Sequence, residues 1–297
     1  MRIELTVQQL LLYGSQLPEE LSGGILRAWS FPVVPALGIA LTAVVYARGF
    51  VLARRTRPNE LPPWRGACFL AGLFSLWIAL ASPIDALDDF LLSSHMIQHF
   101  ILMSVAPPLM MLGDPVVPLL RGLPRWLICK PLHPLFTSRA LQKIIHVLTH
   151  PATIWIAANA AYLGWHVPAA FELTFRSESI HQLEHLCFFL TSIGFWWVVF
   201  APWPSRSRWP RWTVIPYLLS ADLVNTILSA LLAFSGRVLY PSYAAAPRVT
   251  HLTALQDQVA AGSEMWVLNS IVFLIPAVIL TMQLLTPRAF RSTERTA

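Results

Sequence analysis

Seven apolar runs, at about residues 31–47, 66–82, 95–113, 152–165, 185–201, 212–235 and 265–285, divide the chain. With flanking residues each approaches the ~20 residues that cross a ~30 Å hydrocarbon core as a helix. The pattern predicts an all-α polytopic membrane bundle of seven transmembrane helices over residues 31–285. The run at 152–165 is short, and its helix starts nearer Ile144 if the polar His146 and His150 are taken into it. Residues 1–30 mix Arg2, Glu4, Glu19, Glu20 and Arg27 and lack the order of a cleavable signal, so they are expected as an outer pre-membrane segment. Residues 286–297 are expected as a basic cytoplasmic tail.

The cations between the runs give the expected orientation. Arg48, Arg54, Arg55, Arg57 and Arg65 surround the first connection, and Arg121, Arg125, Lys130, Arg139 and Lys143 follow the third run. Arg206, Arg208 and Arg211 follow the fifth run, and Arg288, Arg291 and Arg295 close the chain. Every second connection is thus basic, and 16 of the 21 cations fall on one side. By the positive-inside rule that side is cytoplasmic, the amino terminus is outside and the carboxyl terminus inside. The intervening connections hold Asp85, Asp88 and Asp89, then Glu172, Arg176 and Glu178, then Arg237, Arg248 and Asp257.

Composition removes other classes. The chain has 297 residues, of which 56% are hydrophobic and 12% charged, against about 25% charged in soluble proteins. There is too little polar material to cover a water-soluble globule. The net charge of +6 is spread in small groups rather than along one face, so nucleic acid is not the expected partner. Cys68, Cys129 and Cys187 form neither a disulfide framework nor a thiolate metal clip.

Candidate chemistry concentrates on the expected outer side. There the third helix opens with His95-Met96-Ile97-Gln98-His99, whose spacing of four stacks two imidazoles one turn apart on one face, where they can share a metal. Met103 continues that stripe a turn deeper. Thioether with imidazole favours Cu(I) over Mg, Ca or Mn. His181-Gln182-Leu183-Glu184-His185 repeats the spacing at the start of the fifth helix and adds a carboxylate, and Pro168 leaves His166 at the end of the fourth. The expected metal set is His95, Met96, His99, His181 and His185, supported by Met103, His166 and Glu184. Either pair alone is equally consistent with hydrogen-bonded structural histidines, but two pairs on one side can converge and shift the balance toward a shared metal. Met110 and Met111 read as core fillers. Further candidates are Tyr240, Asp257, Gln258, Met265 and Trp266 in and after the last outer connection. Asp222 and Asn225 lie within the sixth span, as a functional site or an interhelical pair.

The run SSHMIQHFILMSVAPPLMMLGDPVVPLLRGLP, followed in order by WHVPAAFE, HQLEHLCFFLTSIGFWW, YPSY and LQDQVAAGSEMW, resembles the multi-pass CtaG family of caa3-type cytochrome c oxidase assembly factors. The likeness runs from about residue 90 to 285. It implies a plasma (inner) membrane protein that acts with haem-copper terminal oxidase subunits and supports copper delivery, as a chaperone rather than an enzyme. Copper, as Cu(I), is the implied metal, and a homo-oligomer is compatible with it. The alternatives are an integral membrane HxxxH metalloenzyme of desaturase or hydroxylase type, against which stands the missing HxxHH box, and a transporter using Asp222 and Asn225, against which stands the missing repeat.

The orientation has a direct test. A single cysteine placed near Asp88 is expected to react with an impermeant thiol reagent in intact cells, while one near Arg55 stays unlabelled until the membrane is opened; the reverse labelling would overturn the assignment.

Overall fold

The computed structural model describes residues 28–127, 138, 141, 147, 149–201 and 209–286. The expected outer segment 1–30, the cytoplasmic tail and the extension of the fourth span toward Ile144 lie wholly or largely outside the described residues, as do His133 and His146. Among the described residues all regular structure is helical. In chain order its helices of five residues or more are α1 (Val33–Thr56), α2 (Pro63–Ala81), α3 (Pro83–Asp88), α4 (Leu92–Leu112), α5 (Val116–Gly122), α6 (Pro151–Trp165), α7 (Pro168–Arg176), α8 (Glu178–Phe200), α9 (Val214–Phe234), α10 (Pro241–Ala245) and α11 (Ala254–Leu285). A 3-10 turn, Arg211–Thr213, leads into α9.

Six of these are long and apolar enough to cross a membrane: α1, α2, α4, α8, α9 with its leading turn, and α11. The fourth expected span, α6, has 15 described residues, or ~22 Å at 1.5 Å per residue. Leu41, Val44, Leu190, Leu223, Leu231, Val267 and Val278 are exposed along the long helices, the arrangement of a bundle whose outer surface meets lipid rather than water.

Several helices start earlier than their apolar runs. The helix of the last run begins at Ala254, eleven residues before Met265, because Thr253 and Gln256 form a capping box. α8 begins at Glu178 and α4 at Leu92. Polar residues hid these first turns from a reading by hydropathy, and the first turns carry the site.

α4 contains the decisive irregularity. Residues Ile101–Val105 are a π-helical turn, in which the Ala106 N–H donates to the Ile101 carbonyl five residues back. Pro107 and Pro108 come next, and a proline at 107 has no N–H for the carbonyl of Met103. That carbonyl instead accepts the indole N–H of Trp196 on α8, at 2.9 Å. The turn therefore pins α4 to α8 just below His99.

Glycines set the closest helix crossings. A Cβ at Gly49 would collide with the Pro118 carbonyl, and one at Gly122 with that of Val45, so α1 and α5 meet backbone to backbone. A Cβ at Gly262 would lie 2.8 Å from the Ser229 carbonyl, which holds α11 against α9. At the end of the bundle that carries Arg48 and Arg65, Arg65 pairs with Asp114 at 2.9 Å, and Tyr46 donates to the Gly113 carbonyl at 2.7 Å. The histidine-rich ends of α4 and α8 lie at the opposite end.

Trp196→Phe keeps an aromatic ring beside Phe200 and Phe273 but removes the donor to Met103. The buried carbonyl then lacks its partner, and unfolding in detergent is expected to show a loss of about 1–3 kcal/mol. Unchanged stability would mean that the proline-freed carbonyl needs no donor from α8.

Candidate metal centre

The first turns of α4 and α8 place four imidazoles in a closed group. His95 and His99 have ring centroids 4.1 Å apart and His181 and His185 4.2 Å apart, as i, i+4 neighbours should. Across the two helices, His95 faces His181 at 5.2 Å and His99 faces His185 at 5.4 Å. Glu184 is fully buried between them, its Oε2 3.9 Å from Nε2 of both His95 and His99. Asp88, at the end of α3, lies 3.7 Å from Nε2 of His181.

Two sets of potential ligand atoms result, each with its atoms within 4.8 Å of one another: Asp88, His95 and His181, and His95, His99 and Glu184. They share His95. Nε2 of His95, His99, His181 and His185, Nδ1 of His99 and both carboxylate oxygens of Glu184 are buried without a hydrogen-bond partner. Buried polar groups are nearly always satisfied, so this many bare donors and acceptors within one small group is unusual. Imidazole and carboxylate together suit a divalent or copper ion, and the residues present fit one.

His166 stands beside this group, 6.2 Å from His99 between ring centroids. Its Nδ1 lies 2.7 Å from the Tyr162 carbonyl, a contact that requires the proton on that nitrogen and leaves Nε2 as a bare lone pair. Burial pushes its pKa down to about 4, against that opposing hydrogen bond, so the ring is neutral at ordinary pH. On α3, burial first and then the neighbouring Asp89 and Asp85 push the Asp88 carboxyl up. Asp85, raised to about 6 by burial, accepts from Gln98, whose amide also donates to the Ala79 carbonyl. An uncompensated carboxylate is thus disfavoured here, and a cation beside Asp88 would relieve it.

The remaining candidates take distinct places. Asp257 receives Leu92 N–H at 2.7 Å, Ser93 N–H at 3.3 Å and the Ser93 hydroxyl at 2.6 Å, so a carboxylate from α11 caps the start of α4 one turn before His95. Gln258 ties down the loop after α9, accepting from Leu239 N–H and donating to the carbonyls of Leu232 and Arg237. Tyr240 stacks on Phe171 and donates to the His166 carbonyl at 3.0 Å. Trp266 packs edge-on against Phe234. Met96 and Met265 are buried among Leu92, Tyr162 and Phe171, while Met110 and Met111 belong to the apolar core. Asp222 accepts from Ser270 at 2.7 Å, and Asn225 accepts from Tyr162 at 2.8 Å and from Asn269, which makes both of them links between helices.

The sequence model of the cytochrome c oxidase caa3 assembly factor family (Caa3_CtaG) matches residues 44–286. The chain belongs to this family. The first turns of α4 and α8 that build the histidine group of this family member, and the end of α3 beside them, lie inside the match. An uncharacterized protein of Mycobacterium bovis is 27% identical over 267 residues, 87% of this chain and 40% of the relative. One of Mycobacterium leprae is 25% identical over 211 residues, 67% of this chain and 30% of the relative. The chain therefore spans less than half the length of these relatives. No solved structure matches it.

Spacing alone did not reveal Asp88 as a partner of this family member's histidines. Its signal is the acidic run Asp85, Asp88 and Asp89 immediately before the His95 motif, on the same expected side of the membrane. The aromatic walls Phe171 and Phe188, 5.1 Å from His95 and 4.7 Å from His99, were likewise legible only once the helices met.

Proposed function

We propose that this protein is a multi-pass plasma-membrane factor in the assembly of a haem-copper terminal oxidase, and that its buried histidine and carboxylate group holds copper as cargo. The observation that carries the reading is the convergence of His95, His99, His181, Glu184 and His185 with their nitrogens and oxygens unpartnered. Leaving each such atom buried and unsatisfied costs about 1–3 kcal/mol. One cation bound among them relieves several at once and balances the carboxylate charge. Family membership supports a cytochrome c oxidase as client.

In this reading α6 is the fourth of seven spans, the cation-rich connections are cytoplasmic, and the histidine group faces outward, where a copper centre on the outer side of the oxidase is within reach. The chain's own residues divide the work. Asp88 and His181, the less enclosed of the set, receive the ion; His181 retains about 15% side-chain exposure, whereas Glu184 has none. His95, shared by both ligand sets, passes it inward by ligand exchange without change of oxidation state. Glu184 holds it between His95 and His99. The role is delivery and not catalysis.

One observation favours a second reading. Glu184 and Asp88 among imidazoles are a donor mixture that zinc and non-haem iron also accept, as an integral membrane metalloenzyme would require. For a transporter the support is weaker, because Asp222 and Asn225 are engaged in links between helices.

Copper is expected to co-purify with the wild-type protein and to be lost from His95→Ala and His185→Ala. In cells whose only copy carries His95→Ala with His99→Ala, copper-dependent oxidase activity is expected to fall in low-copper medium with the oxidase subunits still made, and to recover when copper is added. Normal oxidase activity in low copper would contradict the proposal, and zinc that copper cannot displace would favour the metalloenzyme.

A further inference from the structure

Directly below the histidine group, inside the bundle, lies a cavity of about 60 Å³. Three of the seven methionines, Met96, Met103 and Met265, line it, contributed by α4 and α11, and so do His99 and His166. This space is separate from the two carboxylate-containing ligand sets but shares His99 with the inner one.

Its polar wall is largely satisfied by internal bonds. Asn225 accepts from Tyr162 and Asn269 and donates to the Met265 carbonyl, and Asn269 accepts from Ser104 at 2.6 Å. What stays without a partner is Nε2 of His166, whose other nitrogen is committed to Tyr162, and the ring nitrogens of His99. The groups left to meet an occupant are therefore imidazole and thioether. Water gains little from thioethers, which are weak acceptors, whereas a soft monovalent cation is bound well by thioether and imidazole. The volume is ample for one ion, as it is for water.

We propose that this cavity is a second metal position, selective for Cu(I), formed by His166 with Met96, Met103 and Met265 and reached from the outer cluster through His99. The inference rests on the copper-handling reading above and deepens it. An ion leaving the carboxylate-containing sets would exchange oxygen for sulfur ligands while His99 stays bound, so that no step leaves it bare. Nothing is oxidised or reduced. The ordering of donors, carboxylate and imidazole outside and thioether inside, makes the inner position discriminate against Zn(II) that the outer one accepts.

The test uses the full chain in detergent with Ag(I), a redox-inert probe for soft sites, and with Cu(I) under anaerobic reducing conditions. X-ray absorption of the wild type is expected to show both nitrogen or oxygen and sulfur scatterers. Met96→Leu, Met103→Leu and Met265→Leu combined preserve apolar volume and are expected to abolish the sulfur signal and lower Ag(I) stoichiometry while the histidine-bound metal remains. His181→Ala with His185→Ala should do the opposite, weakening the outer set and sparing sulfur. Sulfur scattering in the wild type that persists although those His variants bind as the wild type does would support the cavity and count against the outer cluster. Absence of sulfur scattering in the wild type, with equal Ag(I) binding by the triple variant, would leave the cavity to water and overturn the proposal. The wild-type spectrum decides even if the triple variant does not fold, and Met103→Leu alone, at a half-buried position, then reports the loss of one sulfur.

Discussion

A carboxylate buried between imidazoles and bonded to none of them is the constraint around which this end of the molecule is arranged. Glu184 has no exposure, and its oxygens approach His95 and His99 only to 3.9 Å. At that distance neither side satisfies the other by hydrogen bonding. A fold that selected only for stability would replace such a group with apolar side chains, because desolvating charges and polar atoms without full pairing is unfavourable. The surrounding structure instead over-determines it, with aromatic walls from Phe171 and Phe188 and tyrosine hydroxyls that secure the chain behind it.

The scaffold places these groups by using helix ends and a helix defect. Asp257 caps α4 from across the bundle, which sets where His95 begins its turn. Below His99 the two prolines release a carbonyl, the helix widens to a π turn, and Trp196 takes up the slack. Both devices join α4 to partners distant in sequence, so the histidine geometry depends on packing of the whole bundle rather than on one helix. Met103, within this turn, and His99 line the same cavity. Above the cluster, Tyr243 donates to the Asp88 carbonyl and so ties α10 to α3 beside His181.

The membrane class and the two HxxxH pairs were legible because their signals are local: apolar length in the first case, and in the second a period that puts i and i+4 on one helical face. Convergence of the pairs was inferred from sidedness, and the structure sets them 5.2 and 5.4 Å apart across α4 and α8. Long-range partners were not legible. Asp257 reads in sequence as another outer acid but acts as a cap for a helix 165 residues away. Asp88 reads only as one of three acids in an outer connection, and it is buried against His181. Met103, expected a turn deeper than His99, lines the cavity below the histidines together with Met96, which adjoins His95 in sequence. Hydropathy also misplaced the starts of α4, α8 and α11, whose polar first turns hold the chemistry.

If the bare nitrogens and oxygens at the ends of α4 and α8 exist to bind a metal, a copper ion must sit among them. The most direct measurement is a crystal structure of the copper-loaded protein with anomalous scattering recorded on both sides of the copper edge. The account predicts an anomalous peak bonded to His95 and either to His99 and Glu184 or to His181 and Asp88. A map without such a peak, in which ordered waters bridge the same ring nitrogens and carboxylate oxygens, would contradict it.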